Sequence, residues 1–104
     1  MESRAALLER AGSDGRYRLS GVLNFETVPG LLNESAGLFP VAGPEIEVDL
    51  SAVTDSNSAG LGLLLEWVRQ MRLNHQTIRF RNMPPGMTAV AKASDLDGVI
   101  PVLD

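Results

Sequence analysis

Residues 44–73 read PEIEVDLSAVTDSNSAGLGLLLEWVRQMRL, and the change of hydrophobic rhythm inside this stretch decides the fold. From Pro44 to Ser51, apolar Ile46, Val48 and Leu50 alternate with Glu45, Glu47 and Asp49, the period of two expected of a strand with one buried face. From Ser58 to Leu73 the spacing lengthens. Leu61, Leu64, Leu65, Val68 and Met71 recur at i, i+3, i+4, i+7 and i+10, which lines them along one side of a helix. A strand followed at once by a polar turn and a helix is the building unit of a layered α/β structure.

The same rhythms extend outward in both directions. Ala5 to Arg10 and Tyr17 to Leu23 predict two strands of a hairpin joined by AGSDG, in which Asp14-Gly15 tolerates the positive φ of a tight turn. Thr27 to Phe39 predicts a helix with Thr27 as N-cap, Pro29 in the first turn, and Leu31, Leu32, Ala36, Leu38 and Phe39 near helical spacing. Thr77 to Met83 alternates again, with Ile78, Phe80 and Asn82 on one side. PPGMTAVAKASDL, 84–96, predicts a proline-started helix, and GVIPVLD, 98–104, a brief closing strand or extended tail. The predicted order is β-β-α-β-α-β-α-(β): a small mixed β-sheet packed with helices, in a single domain over residues 1–104.

Composition narrows the function. With 44% hydrophobic and 21% charged residues the chain has the balance of a globular protein. Thirteen acidic against nine basic residues give a net charge of −4, with the cations scattered, which argues against a nucleic-acid partner. Without cysteine there is neither a disulfide nor a thiolate metal site or nucleophile, and no cofactor or metal is expected. No apolar run approaches the ~20 residues that span a bilayer, and MESRAALLERAGSDG lacks a signal-peptide core. The expected location is the cytoplasm.

Two features of the 58–73 helix invite a functional reading. At its start, backbone N–H groups without intrahelical partners can be satisfied by a side-chain oxygen of Asp55, Asn57 or Ser58. Ser58 reads either as a cap or first-turn residue or as a phosphoacceptor, whose added charge the positive helix end tolerates. Along its far side, Ala59, Leu63 and Trp67 form a second apolar strip beside Glu66 and Gln70. Either the 84–96 helix covers that strip, or Leu63 and Trp67 insert into a hydrophobic groove of another protein, tryptophan being the residue type most enriched at interface hot spots.

VDLSAVTDSNSAGLGLLLEW, 48–67, resembles the central signature of STAS domains: a strand ending in a V-D-L-S-like turn, a D-S-S-G-like loop and a leucine-rich helix. Element order, length and the late KASDLDGVIP extend the likeness over nearly the whole chain. Among STAS proteins it is greatest to the small subunit of Mla-type ABC phospholipid transporters of Gram-negative bacteria. That resemblance implies a non-catalytic accessory subunit. It would bind the cytoplasmic ATPase subunit, support its assembly and activity, and meet the inner membrane only through the complex, with no nucleotide site of its own.

Residue by residue, Ser58 falls on the family's Ser or Thr, Gly60 on its helix glycine, and Ala59 where a second Ser or a Gly is common. Asn57 replaces the usual Asp, a departure that weakens a phosphorylation reading more than a docking one. The partner-binding residues implied are Asn57, Ser58, Ala59, Leu63, Trp67 and Lys92, the last a rim candidate with Asp95. The alternative is an anti-sigma factor antagonist regulated by phosphorylation of Ser58. An enzyme finds little support in the inventory, because the single His75 stands in RLNHQ with no matching carboxylate spacing and no G-x-x-x-x-G-K-[ST] loop is present. Arg69, Arg72, Arg79 and Arg81 read as surface cations.

Overall fold

The computed structural model describes residues 5–12 and 14–103. Ser13 of the AGSDG turn and Asp104 of the closing tail lie outside them, as does the start of the N-terminal segment. Strands β1 (Ala6–Arg10) and β2 (Arg16–Leu23) form the expected antiparallel hairpin. Gly15 in its turn takes φ +82°, and a Cβ there would run into the carbonyl of Glu45. Helix α1 (Val28–Leu38) and a short 3-10 turn (Phe39–Val41) lead into β3 (Glu45–Ser56). Then follow α2 (Ser58–Leu73), β4 (Thr77–Arg81), α3 (Pro85–Ala93) and β5 (Val102–Leu103).

The five strands lie in sequence order, β1-β2-β3-β4-β5, with only β1 antiparallel. Each parallel connection steps to the next strand in the same direction. Because such crossovers are right-handed, all three helices fall on one face of the sheet. Burial agrees: Tyr17, Leu19, Ile46, Val48, Leu50, Ile78 and Phe80 are buried beneath the helices. Their alternates Arg16, Arg18, Glu47, Asp49, Arg79 and Arg81 stay at least partly exposed on the bare face. There the strand register sets Arg18 beside Asp49 and Asp49 beside Arg81, while Arg81 Nε donates to Glu47 at 3.2 Å.

Among the boundaries that differ from the sequence expectation, three have a visible cause. β3 continues past Ser51 to Ser56, because Ala52–Ser56 pairs with Ser20–Leu23 across two register shifts; the shifts break the alternation that a sequence pattern needs. β4 stops at Arg81, since Asn82 takes φ +60° and points its amide at Asp49 instead of entering the core. α3 ends at Ala93, closed by Asp95 at φ +58°.

Thr27 does stand at the N-cap position of α1 but caps nothing with its side chain. Its hydroxyl instead donates to the Val22 carbonyl at 2.8 Å and accepts from Asn24 N–H at 2.9 Å.

The buried side of α2 runs from Ala59 through Gly60, Leu61, Leu63, Leu64, Trp67 and Val68 to Met71. At ~100° per residue these positions cover an arc of about 200°, so the two apolar strips seen in the sequence are one continuous surface. The helix lies on the sheet with α1 on one flank and α3 on the other. Trp67 sits inside an aromatic series. Its ring meets Phe39 edge-on at 5.2 Å and stacks on Phe80 at 6.4 Å, and Phe39 meets Tyr17 edge-on at 5.0 Å.

Candidate docking site at the start of α2

The sequence puts Asn57 between an extended strand and a helical first turn, and its backbone (φ −100°, ψ −167°) is the extended conformation that an N-cap requires. Its Oδ1 accepts from Ala59 N–H at 2.8 Å, and its carbonyl accepts from Gly60 N–H at 3.0 Å. Asp55 Oδ1 accepts from Ser56 N–H, and Ser56 Oγ donates to the Asn57 carbonyl. The tip is therefore tied down by Asp55, Ser56 and Asn57, and capping falls to Asn57. Ser58 is the first residue of the helix, exposed, and its hydroxyl has no hydrogen-bond partner among the described residues.

Gly60 holds this tip against the sheet. A Cβ there would land on Ser56 Oγ and within 3.2 Å of Leu23 Cβ. The glycine is buried and serves the packing of the first helical turn onto the ends of β2 and β3.

The remaining residues implied for partner binding divide. Leu63 and Trp67 are both 0% exposed and Ala59 is 7% exposed, so these three belong to the core and offer no docking surface. The cover over Trp67 comes from α1 and not from the 84–96 helix: its indole Nε1 donates to Ser35 Oγ at 2.7 Å, and Phe39 closes the seam. Lys92 is exposed on α3, where it lines a groove of about 490 Å³ with Asn82, Met83, Thr88, Ile100 and Val102. No residue of the Ser58 tip lines that groove.

The structure adds a residue that the sequence reading passed over. Leu23 pairs with Ser56, and the Leu23 carbonyl accepts from Asn57 N–H at 3.1 Å, so the β2–α1 loop and the start of α2 leave the sheet side by side. Phe25 and Ser58 each lie two residues beyond that pair. Phe25 is 73% exposed. The loop carrying it is nonetheless ordered by side chains, with Asn24 Oδ1 accepting from the N–H groups of Glu26 and Thr27, each at 2.9 Å. The signal in the sequence was a lone aromatic between Asn24 and Glu26, in a stretch that reads only as a connection between elements.

Among the described residues, the charged side chains nearest in sequence to Phe25 and Ser58 are acidic. Between Leu19 and Val68 the chain contains no Lys, Arg or His, and the exposed charged side chains flanking Phe25 and Ser58 are Glu26 and Asp55. Among the described residues no group of three or more His, Asp or Glu is placed to hold a metal ion. No helix of the described residues is long and apolar enough to cross a membrane.

A family model described as "Mlab, STAS domain" matches residues 6–103. The chain belongs to the STAS domain family. Solved structures similar to this STAS domain include the anti-sigma factor antagonist SpoIIAA in its unphosphorylated form, at 20% identity and TM-score 0.68, covering 96% of this chain and 88% of that one. The Bacillus cell fate determinant SpoIIAA in its phosphorylated form matches at 21% identity and TM-score 0.68, over 96% and 92% of the two chains. An anti-sigma factor antagonist from Mycobacterium paratuberculosis matches at 22% identity and TM-score 0.67, over 93% and 82%. At these identities the likeness establishes the mixed five-stranded fold. No curated protein sequence matches this STAS domain.

Proposed function

We propose that this STAS domain is a non-catalytic accessory subunit that binds the cytoplasmic ATPase of an ABC-type phospholipid transporter and supports its assembly and activity. The observation that carries the docking part is an edge tied down by side-chain hydrogen bonds, on which the exposed Phe25 and the exposed Ser58 each stand two residues beyond the Leu23–Ser56 pair. The transporter part is supported by the Mlab description of the matching family model, and by Asn57 and Ala59, which depart from the Asp and the second Ser or Gly that the family resemblance leads one to expect there. On this reading the domain reaches the inner membrane only through the complex.

A second reading has its own support. An exposed Ser58 at a helix N-terminus, with no hydrogen-bond partner among the described residues, suits a phosphoacceptor, and the structural neighbours include anti-sigma factor antagonists, one solved in both phosphorylation states.

Co-purification of the tagged protein from its host, wild type against Ser58→Asp, with mass spectrometry of the partners and of Ser58, separates the two. Recovery of an ABC ATPase and permease, reduced by Ser58→Asp, supports the transporter subunit. A kinase and an anti-sigma factor recovered with phosphate on Ser58 would overturn it in favour of the signalling switch.

A further inference from the structure

Phe25 exposes 73% of its surface in a loop that folding alone does not require to carry an aromatic ring. Stray exposed apolar side chains are ordinary, but this one stands on a fixed base. Asn24 Oδ1 holds two backbone N–H groups, and Thr27 Oγ1 both donates to the Val22 carbonyl and accepts from Asn24 N–H. Little conformational freedom of that loop remains to be lost on binding, and a rigid aromatic is the kind of side chain that dominates interface energetics. The second element is the sign of the charge. Glu26 and Asp55 flank the ring and the serine in a span, 19–68, that contains no cation.

Resting on the docking reading above, we propose that Phe25 is the anchor of this edge, and that the partner is a protein surface with an apolar socket for the ring inside a rim of Lys or Arg. The socket supplies affinity by removing the ring from water. The basic rim pairs with Glu26 and Asp55, steers the encounter and fixes orientation.

The test uses whichever protein co-purifies with the wild-type chain, purified and titrated against the wild type, Phe25→Ala, the double variant Glu26→Lys/Asp55→Lys, and Val41→Ser. Val41 is the control: it is 80% exposed but precedes β3, at the opposite end of the sheet from Phe25. The expected results are a loss of at least about tenfold for Phe25→Ala and no change for Val41→Ser. Wild-type binding should weaken as salt rises from about 0.01 to about 1 M, over which the screening length falls from roughly 30 to roughly 3 Å. The double lysine variant should bind more weakly and lose that salt dependence.

Phe25→Ala binding like the wild type, or wild-type affinity indifferent to salt, overturns the proposal whatever the partner is. If the partner is not a transporter ATPase, the proposed function fails while the same titrations still decide this one. If no partner is recovered, both fail.

Discussion

Trp67 Nε1 donates a 2.7 Å hydrogen bond to Ser35 Oγ across the seam between α1 and α2, joining two residues that are both fully buried. Ser35 passes its own proton on, donating to the Leu32 carbonyl at 3.0 Å. Replacing Ser35 by Ala leaves the indole N–H buried without an acceptor, which should cost about 1–3 kcal/mol of stability. Trp67→Ala opens a cavity among Phe39 and Phe80 and should cost about 3–5 kcal/mol. Urea unfolding of both variants checks the order. A Trp67→Ala protein as stable as the wild type would return that residue to the surface.

Gly60 should tolerate no side chain. The Cβ of Gly60→Ala meets Leu23 Cβ, which is fixed to its backbone, and Ser56 Oγ, which is engaged with the Asn57 carbonyl. Overpacking of this kind costs about 1–3 kcal/mol, and the thermal midpoint should fall accordingly. Gly62→Ala is the control, because nothing stands within 4 Å of a Cβ at that position.

Asn57→Ala removes the acceptor for Ala59 N–H and should destabilise the protein by about 1 kcal/mol. Asn57→Asp keeps an acceptor and adds an anion at the positive end of α2, so its stability should match or exceed that of the wild type at neutral pH and low salt. Chemical unfolding of the pair at pH 7 discriminates.

Ser58→Asp should leave folding intact. The side chain is exposed and has no hydrogen-bond partner among the described residues, and a carboxylate in the first helical turn interacts favourably with the helix dipole by a few tenths of a kcal/mol. An unchanged or slightly raised thermal midpoint makes any loss of partner binding a contact effect. A lowered midpoint would attribute that loss to unfolding.

On the bare face, partial burial acts to raise the Asp49 pKa, but the hydrogen bonds from Asn82 and from Ser51, with Arg18 across the strands, outweigh it and hold the carboxyl below its ordinary range. A lowered folded-state pKa contributes stability that is complete above the unfolded value near ~3.9 and is lost as pH falls through the folded value. Asp49→Asn should therefore be less stable at pH 7 by under about 1 kcal/mol, given solvent screening. Its stability should also fall less steeply on acidification than that of the wild type. Urea midpoints above and below the carboxylate range check the sign.

What the sequence yields, and what it withholds, follows from the range of the interactions involved. The alternation in 45–50 and the helical spacing in 61–71 are local, so β3, α2 and the order of elements were legible in the chain. The fate of Trp67 was not, because which neighbour covers a helix flank depends on Ser35 and Phe39, about thirty residues away; the sequence left α3 or a partner's groove open as the cover, and the actual one is α1. The extension of β3 to Ser56 escaped because register shifts erase the period. Asn57 and Ser58 could be placed at the helix start from their side-chain chemistry, whereas Phe25 became visible only when the Leu23/Ser56 pairing brought its loop beside them.

That pairing has a consequence for specificity. Phe25 and Ser58 are both counted from the same rung of the sheet, and Gly60 presses the root of one loop onto the root of the other. The β-ladder thus fixes where the two loops start, and the number of residues counted from that rung places Phe25 and Ser58. A partner shaped to both reads a spacing. On the docking reading, inserting a single residue after Leu23 should displace Phe25 relative to Ser58, so related domains of the same fold can be kept apart by loop length alone.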